Sequence, residues 1–91
     1  MEDQRRIAKR GLPSLVIART VKGGGFQISV SVEDAFWVAL KEIATSKGMP
    51  LYELVLQIDR KRVLDRENAN LSSAIRVFVL TYYCELAEAK R

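Results

Sequence analysis

The chain has 91 residues and a formal net charge of +4, with a single cysteine and no histidine. This length predicts one small domain, which buries so modest a share of its surface that a second subunit would help to stabilise it. One cysteine excludes an intrachain disulfide, and the lack of histidine removes the commonest general base and metal ligand. No stretch approaches the ~20 apolar residues of a membrane-spanning helix, so we expect a cytoplasmic protein without metal, cofactor or catalytic residues.

The net charge lies entirely in the first quarter of the chain. Residues 1–25 contain six basic and two acidic side chains, whereas residues 26–91 contain nine of each. A basic arm beside a neutral domain is typical of a segment that contacts phosphates, although a solubilising tail has the same composition. We therefore divide the chain into a basic arm at 1–25 and a domain at 26–91. The basic side chains of the arm are Arg5, Arg6, Lys9, Arg10, Arg19 and Lys22.

Two segments have the composition of β-strands. Residues 15–21 are rich in β-branched side chains, and the three glycines at 23–25 predict a turn after them. Residues 26–32 alternate strictly between apolar and polar side chains, which predicts a half-buried strand. The apolar side is formed by Ile28, Val30 and Val32, and the polar side by Gln27, Ser29 and Ser31.

The 26–32 strand needs a partner because its backbone N–H and C=O groups must be hydrogen-bonded. One candidate is the 15–21 segment, which would make a hairpin within the chain. The other is the same strand of a second chain, in a two-fold antiparallel ribbon. A two-stranded ribbon fits the major groove of B-DNA, so the outward Gln27, Ser29 and Ser31 either contact base edges or form a solvated face.

Apolar side chains recur at helical spacing from residue 33 onward, and they predict helices at about 33–47, 50–62 and 71–88. Gly48 and Pro50 are suited to end the first helix and to begin the second. The third helix can be capped by Asn70 or Ser72.

The predicted core lies between the strand and one face of each helix, and the same side chains are candidates for a dimer interface. They are Ile28, Val30, Val32, Trp37, Leu54, Ile58 and Phe78. The third helix is apolar nearly all round near Val77 and Leu80, a pattern typical of a helix that is buried on several sides. In so small a domain, we expect part of that surface to contact another subunit.

The alternating strand, the helix that ends at Gly48, the tight Gly48-Met49-Pro50 turn and the second helix resemble the ribbon-helix-helix fold of the Arc/MetJ/CopG-type bacterial repressors. More narrowly, the segment VSVEDAFWVALKEIATSKGMPLYELVLQID, followed by NLSSAIRVFVL, is similar to short bacterial ribbon-helix-helix proteins with an additional C-terminal helix. The resemblance covers about residues 25–83. It implies an α+β, mainly helical homodimer whose two 26–32 strands form an intersubunit antiparallel ribbon, with a possible further strand at about 15–21.

The resemblance also implies which residues contact DNA. Gln27, Ser29 and Ser31 would contact bases, and the free N–H groups of Leu51 and Tyr52 would bind a backbone phosphate at the start of the second helix. The basic residues of the arm would contact further phosphates. Well-studied members of the family carry Arg, Lys or Asn among the base-contacting residues, whereas this strand presents one Gln and two Ser.

We therefore expect a DNA-binding transcriptional regulator, a repressor of this type, and not an enzyme. Its expected partners are double-stranded DNA and a second copy of the chain. The alternative is a dimerisation or adaptor module, or an antitoxin-like protein, with weak or no DNA binding and a protein partner.

Overall fold

Two strands are followed by three helices in the computed structural model, which describes residues 15–65 and 70–90. The elements are β1 (Val16–Gly23), β2 (Phe26–Glu33), α1 (Asp34–Ser46), α2 (Leu51–Asp65) and α3 (Leu71–Ala89). This order confirms the predicted α+β, mainly helical fold class. Four basic residues of the predicted arm, Arg5, Arg6, Lys9 and Arg10, lie outside the described residues.

Helix α2 ends three residues later than the sequence pattern predicts. Its last turn contains two ion pairs between side chains on neighbouring turns, Lys61 with Asp65 at 2.7 Å and Arg62 with Asp59 at 2.7 Å. Pairs at these spacings stabilise a helix. They explain why α2 continues through the polar end of the segment.

β1 and β2 form an antiparallel hairpin whose register runs from Val16 opposite Glu33 to Gly23 opposite Phe26. The two-residue turn between them has φ angles of 55° and 83° at Gly24 and Gly25. Both angles are left-handed, a conformation that glycine adopts without the steric penalty of a side chain. The sequence left two candidate partners for the 26–32 strand, the 15–21 segment and a second copy of the strand. The first of them, in the same chain, pairs with it.

The two faces of the hairpin differ in polarity. Residues directly opposite each other in an antiparallel pair point to the same face. Val21, Val30 and Val32 face the helices and are at most 5% exposed. The opposite face begins with the pair Val16 and Glu33, and we call its remaining residues the outer face: Ala18, Thr20, Lys22, Gln27, Ser29 and Ser31.

The core lies between the hairpin and the three helices. Leu40 and Ile43 of α1, Leu54 of α2 and Ile75 of α3 are no more than 1% exposed. Of the residues predicted to form the core or the dimer interface, Val30, Val32, Leu54 and Ile58 are buried in this cluster, and Ile28, Trp37 and Phe78 are partly buried against it. Helices α2 and α3 pack mainly against each other, and of the two strands α2 contacts β1 whereas α3 contacts β2.

A tight turn at Gly48 connects α1 to α2. The N–H of Met49 donates to the carbonyl of Ala44 and the N–H of Gly48 to the carbonyl of Thr45, both at 3.0 Å. This pair of bonds is the Schellman arrangement, which requires a left-handed residue at Gly48, where φ is 67°. The turn reverses the chain and returns the start of α2 toward the hairpin.

Two contacts join the start of α3 to the end of β2. Asn70 caps the helix, and its side-chain oxygen accepts a 2.8 Å bond from the N–H of Ser73. The hydroxyl of Ser72 then donates to the carbonyl of Ser31 at 2.5 Å. α3 has 19 residues, and no helix in the described part of the chain is long and apolar enough to cross a membrane.

Candidate nucleic-acid interface

The outer face is polar and exposed on both strands. Lys22 lies opposite Gln27 and Thr20 lies opposite Ser29, and all four residues are exposed. Between residues 18 and 31, Lys22 is the one formally charged side chain on this face. The outer face thus carries a positive charge that β2 by itself lacks.

The contribution of β1 to this face was missed in the sequence. Ala18, Thr20 and Lys22 alternate with inward positions, but one of those inward positions is occupied by Arg19. A charged residue at an inward position breaks the apolar-polar alternation on which strand prediction depends. The remaining indication is the short Thr20-Val21-Lys22 alternation before the glycines.

Arg19 lies on the helix-facing side of the hairpin, opposite Val30. Its guanidinium donates to the carboxylate of Asp34 at the start of α1 and lies 4.9 Å from the ring centroid of Trp37. Nη1 of this guanidinium is buried without a hydrogen-bond partner among the described residues. Arg19 thus lies away from the outer face and is bound within the chain, and its expected phosphate contact stays a prediction.

The ring of Tyr52 lies against the hairpin turn. A Cβ atom placed at Gly23 would be 2.1 Å from Cδ2 of Tyr52, and one placed at Gly24 would be 2.7 Å from Cε1. Both distances are far below van der Waals contact, so the ring fills the space that side chains at the turn would need. This contact holds the first turn of α2 beside the residue that follows Lys22.

The start of α2 presents backbone N–H groups at the same end of the hairpin. The carbonyl of Pro50 accepts from the N–H groups of Glu53 and Leu54 at 3.1 and 3.3 Å. The N–H groups of Leu51 and Tyr52 precede these, and the first N–H groups of a helix have no partner within it. Free N–H groups and the helix dipole favour an anion at this position, and Lys22 precedes the Gly23 that Tyr52 contacts.

The other end of the hairpin is electrically neutral. Arg76 of α3 donates two bonds to the Glu33 carboxylate, from Nε at 2.9 Å and from Nη2 at 3.2 Å. These bonds hold the pKa of Glu33 below its ordinary value of 4.5. The hairpin therefore has a positive end at its turn and a paired charge at the end that enters α1.

A family model described as a ribbon-helix-helix domain matches residues 16–83. No curated protein and no solved structure matches the chain. The matched range begins at the first residue of β1 and ends within α3, so the strand that the sequence placed in the basic arm lies inside it. Ribbon-helix-helix domains are in general DNA-binding modules of regulatory proteins. The chain belongs to the ribbon-helix-helix family.

Proposed function

We propose that the protein is a DNA-binding transcriptional regulator that acts as a homodimer, with its β-ribbon in the major groove. The observation that supports this most strongly is the outer face, where six outward positions carry small or polar side chains and a lysine. Side chains of this kind donate to and accept from base edges without steric conflict. An apolar outer face would instead favour burial against protein.

The proposed dimer forms through the second edge of β2. Among the described residues β2 pairs with β1 alone, and the other edge of such a strand is a template for further pairing. Two copies of β2 related by a two-fold axis give a sheet in which both β2 strands are central and both β1 strands are outermost. Strands are ~4.8 Å apart, so all four span about 14 Å between the outermost axes.

This width decides which strand contacts bases. The major groove is about 12 Å wide, so the central β2 pair enters it and the two outer strands do not. The right-handed twist of the sheet turns the outer strands toward the walls of the groove, where the phosphates lie. Gln27, Ser29 and Ser31 then contact base edges, with Gln27 suited to adenine, while Lys22 contacts a phosphate.

The start of α2 completes the phosphate contacts near the turn. Tyr52 holds this helix end beside the hairpin, so the N–H groups of Leu51 and Tyr52 and the ammonium of Lys22 bind the backbone on one side of the groove. Pro50 brings no N–H of its own, but its carbonyl begins the helix and leaves the two following N–H groups directed outward. The remaining basic residues of the arm add contacts outside the described residues.

The test begins with selection of binding sites from genomic DNA, followed by measurement of Kd for the selected duplex at several salt concentrations. Each phosphate contact adds about −0.9 to the slope of log K against log salt, so we expect a steep negative slope. Gln27→Ala should relax the base preference at one position in each half-site. A flat salt dependence, or no DNA bound at low salt, would contradict the proposal.

The second candidate function is an adaptor module that dimerises without binding DNA. The pairing of β1 with β2 favours it, because a four-stranded sheet is wider than the groove if the outer strands do not twist away. Co-purification of a protein partner with no DNA, from cells that express the tagged chain, would support this function. An antitoxin-like role is a variant of it, in which the captured partner is a toxin.

A further inference from the structure

Helix α3 carries an apolar surface that the described residues leave uncovered. Val77 and Leu80 are each 64% exposed and Tyr83 is 38% exposed, whereas Ile75 on the opposite side of the helix is completely buried. With Phe36 of α1, these three exposed residues line a cavity of about 300 Å³. We call these four residues the α3 patch.

The α3 patch adjoins the end of β2. Arg76, which borders the cavity, donates to Glu33 at the last position of β2 and lies 6.0 Å from the ring centroid of Phe36. Of the two strands, α3 contacts β2 and α2 contacts β1. The patch therefore lies near the carboxyl end of β2, the strand whose second edge is open in the proposed dimer.

A ribbon of two strands needs additional apolar area to hold two chains together. Stable interfaces bury about 1,600 Å² in total, and the edges of two eight-residue strands contribute mainly backbone hydrogen bonds. Burial of apolar side chains supplies the driving force for association. The α3 patch is one exposed apolar surface near β2, and Phe26 of β2 itself, 53% exposed, is another.

The charge around the patch is compatible with contact between identical surfaces. A two-fold interface brings each patch against its own copy, so an unpaired charge within it would face a like charge. The one charged residue that lines the cavity is Arg76, and its guanidinium is paired with Glu33 at 2.9 Å. The patch thus presents mainly aliphatic and aromatic carbon, with Arg76 paired at one border and the Glu42 carboxylate accepting from the Tyr83 hydroxyl at 3.4 Å at another.

We propose that the α3 patch packs against the same patch of a second copy of this chain, so that α3 forms part of the dimer interface beside the β2 ribbon. This inference rests on the homodimer of the proposed function and adds to it the helix and the side chains that stabilise the dimer. Cys84 lies one turn beyond Leu80 on the same side of α3 and is exposed. Because it is the only cysteine in the chain, it reports contact between two α3 helices.

The experiment compares Leu80→Glu with Leu64→Glu by sedimentation equilibrium of the full chain. Leu64, at the end of α2, is 74% exposed and lies outside the patch, so it is a matched control for a carboxylate placed on an exposed leucine. We expect Leu80→Glu to raise the dimer dissociation constant at least about 100-fold, because it places an unpaired carboxylate in a desolvated contact. Leu64→Glu should leave the dimer unchanged.

Circular dichroism of both variants establishes that they fold, which is expected because both leucines are exposed. As a second measurement, a short bismaleimide should join two wild-type chains through Cys84 and should fail to join Leu80→Glu chains. A Leu80→Glu variant that remains as dimeric as wild type, or an equal loss of dimer in Leu64→Glu, would overturn the inference while leaving DNA binding open. A monomeric wild-type chain would overturn the homodimer itself. If Leu80→Glu weakens the dimer as expected but the wild-type dimer binds no DNA, the inference stands and only the proposed DNA binding is overturned.

Discussion

The outer face of the hairpin and the α3 patch are both exposed, yet their chemistry is opposite. The outer face carries hydroxyl, amide and ammonium groups, with Ser29, Thr20, Gln27 and Lys22 all exposed. The α3 patch consists of aliphatic and aromatic carbon around a paired charge. Burial of apolar area is worth about 25 cal/mol per Å², so the patch gains from contact with protein, whereas the outer face gains from hydrogen bonds to a polar ligand.

In the proposed dimer, this difference assigns two kinds of binding to two surfaces of a small chain. A surface for DNA must keep its donors and acceptors available, and a surface for a second copy must lose water. The proposed dimer places the first on the sheet and the second on α3, so that one set of variants should affect DNA binding without changing assembly. Substitutions in the α3 patch should instead weaken the dimer.

The largest expected effect comes from a carboxylate on the outer face. Ser29→Glu should raise Kd for the selected DNA by about 100-fold or more, because a charge of the same sign as the phosphates costs several kcal/mol at such an interface. Its dimer dissociation constant should rise far less, because the two new carboxylates on the ribbon are exposed and screened by solvent. The measurement is fluorescence anisotropy of labelled duplex, with Ala89→Glu at the far end of α3 as the control for added charge.

Equal losses of DNA affinity in Ser29→Glu and Ala89→Glu would contradict the assignment of the outer face. Loss of dimer in Ser29→Glu would instead show that the two surfaces are not separate. Both the Kd for DNA and the dimer dissociation constant are therefore measured for each variant.

The next effect concerns the contact that holds the hairpin turn to α2. Gly23→Ala should lower the free energy of unfolding by about 1–3 kcal/mol, the usual cost of overpacking, because its Cβ would lie 2.1 Å from Cδ2 of Tyr52. Tyr52→Ala in the same chain should remove part of this cost. Chemical denaturation of the two single variants and the double variant measures the coupling.

Gly25→Ala is the control for this cycle. Its φ of 83° also disfavours a side chain, but a Cβ there meets nothing within 4 Å. Its cost should therefore be independent of Tyr52. Additivity of Gly23→Ala and Tyr52→Ala would show that the ring does not hold the turn.

A smaller effect distinguishes two basic residues of β1. Lys22→Ala should make the salt slope less steep by about 1.8, since each phosphate contact contributes about 0.9 and a dimer carries two copies. Arg19→Ala is the matched control on the same strand, because Arg19 points inward to Asp34 and Trp37. It should lower thermal stability and leave the slope unchanged.

If Arg19→Ala changes the slope of log K against log salt, Arg19 contacts a phosphate. An unchanged slope in Lys22→Ala would remove the outer strand from the DNA interface. The slopes are obtained from Kd values at matched temperature and pH over the same range of salt.

Much of the fold was predictable because its elements obey local rules. The strict alternation in 26–32 and the helical spacing after residue 33 predicted β2 and the helices within a few residues. Residue type predicted Gly48 at the end of one helix and Asn70 or Ser72 as the cap of another, and Gly48 and Asn70 occupy those positions. Local rules of this kind depend on neighbours in sequence, which are visible without a structure.

The rest depends on contacts between residues that are distant in sequence. A strand pairs equally well with a segment of its own chain or with a copy of itself, because either partner satisfies the same backbone groups. The inward position of Arg19 is explained by Asp34, 15 residues away. The contact of Tyr52 with the turn and the pairing of Arg76 with Glu33, 43 residues apart, likewise leave no pattern in the sequence.

The smallest expected effect is a dependence on pH that acts on the α3 patch and not on the outer face. Arg76 holds the pKa of the Glu33 carboxyl below its ordinary value of 4.5, so in acid the unfolded chain binds this proton before the folded chain does. The ion pair therefore stabilises the protein fully above about pH 5, and this contribution is lost as the pH falls through the lowered pKa. Denaturation of wild type and Glu33→Gln between neutral and acidic pH should show a stability difference that shrinks in acid.

The same titration should weaken the dimer, because protonation of Glu33 leaves the guanidinium of Arg76 unpaired at the border of two facing patches. Glu33→Gln should already have this weaker dimer at neutral pH and should lose less of it in acid. The outer face carries no carboxylate between residues 18 and 31, so Glu33→Gln should leave the DNA affinity of the assembled dimer unchanged. A stability difference that grows in acid, or dimer affinities that change in parallel for both proteins, would show that Glu33 and Arg76 do not neutralise the patch.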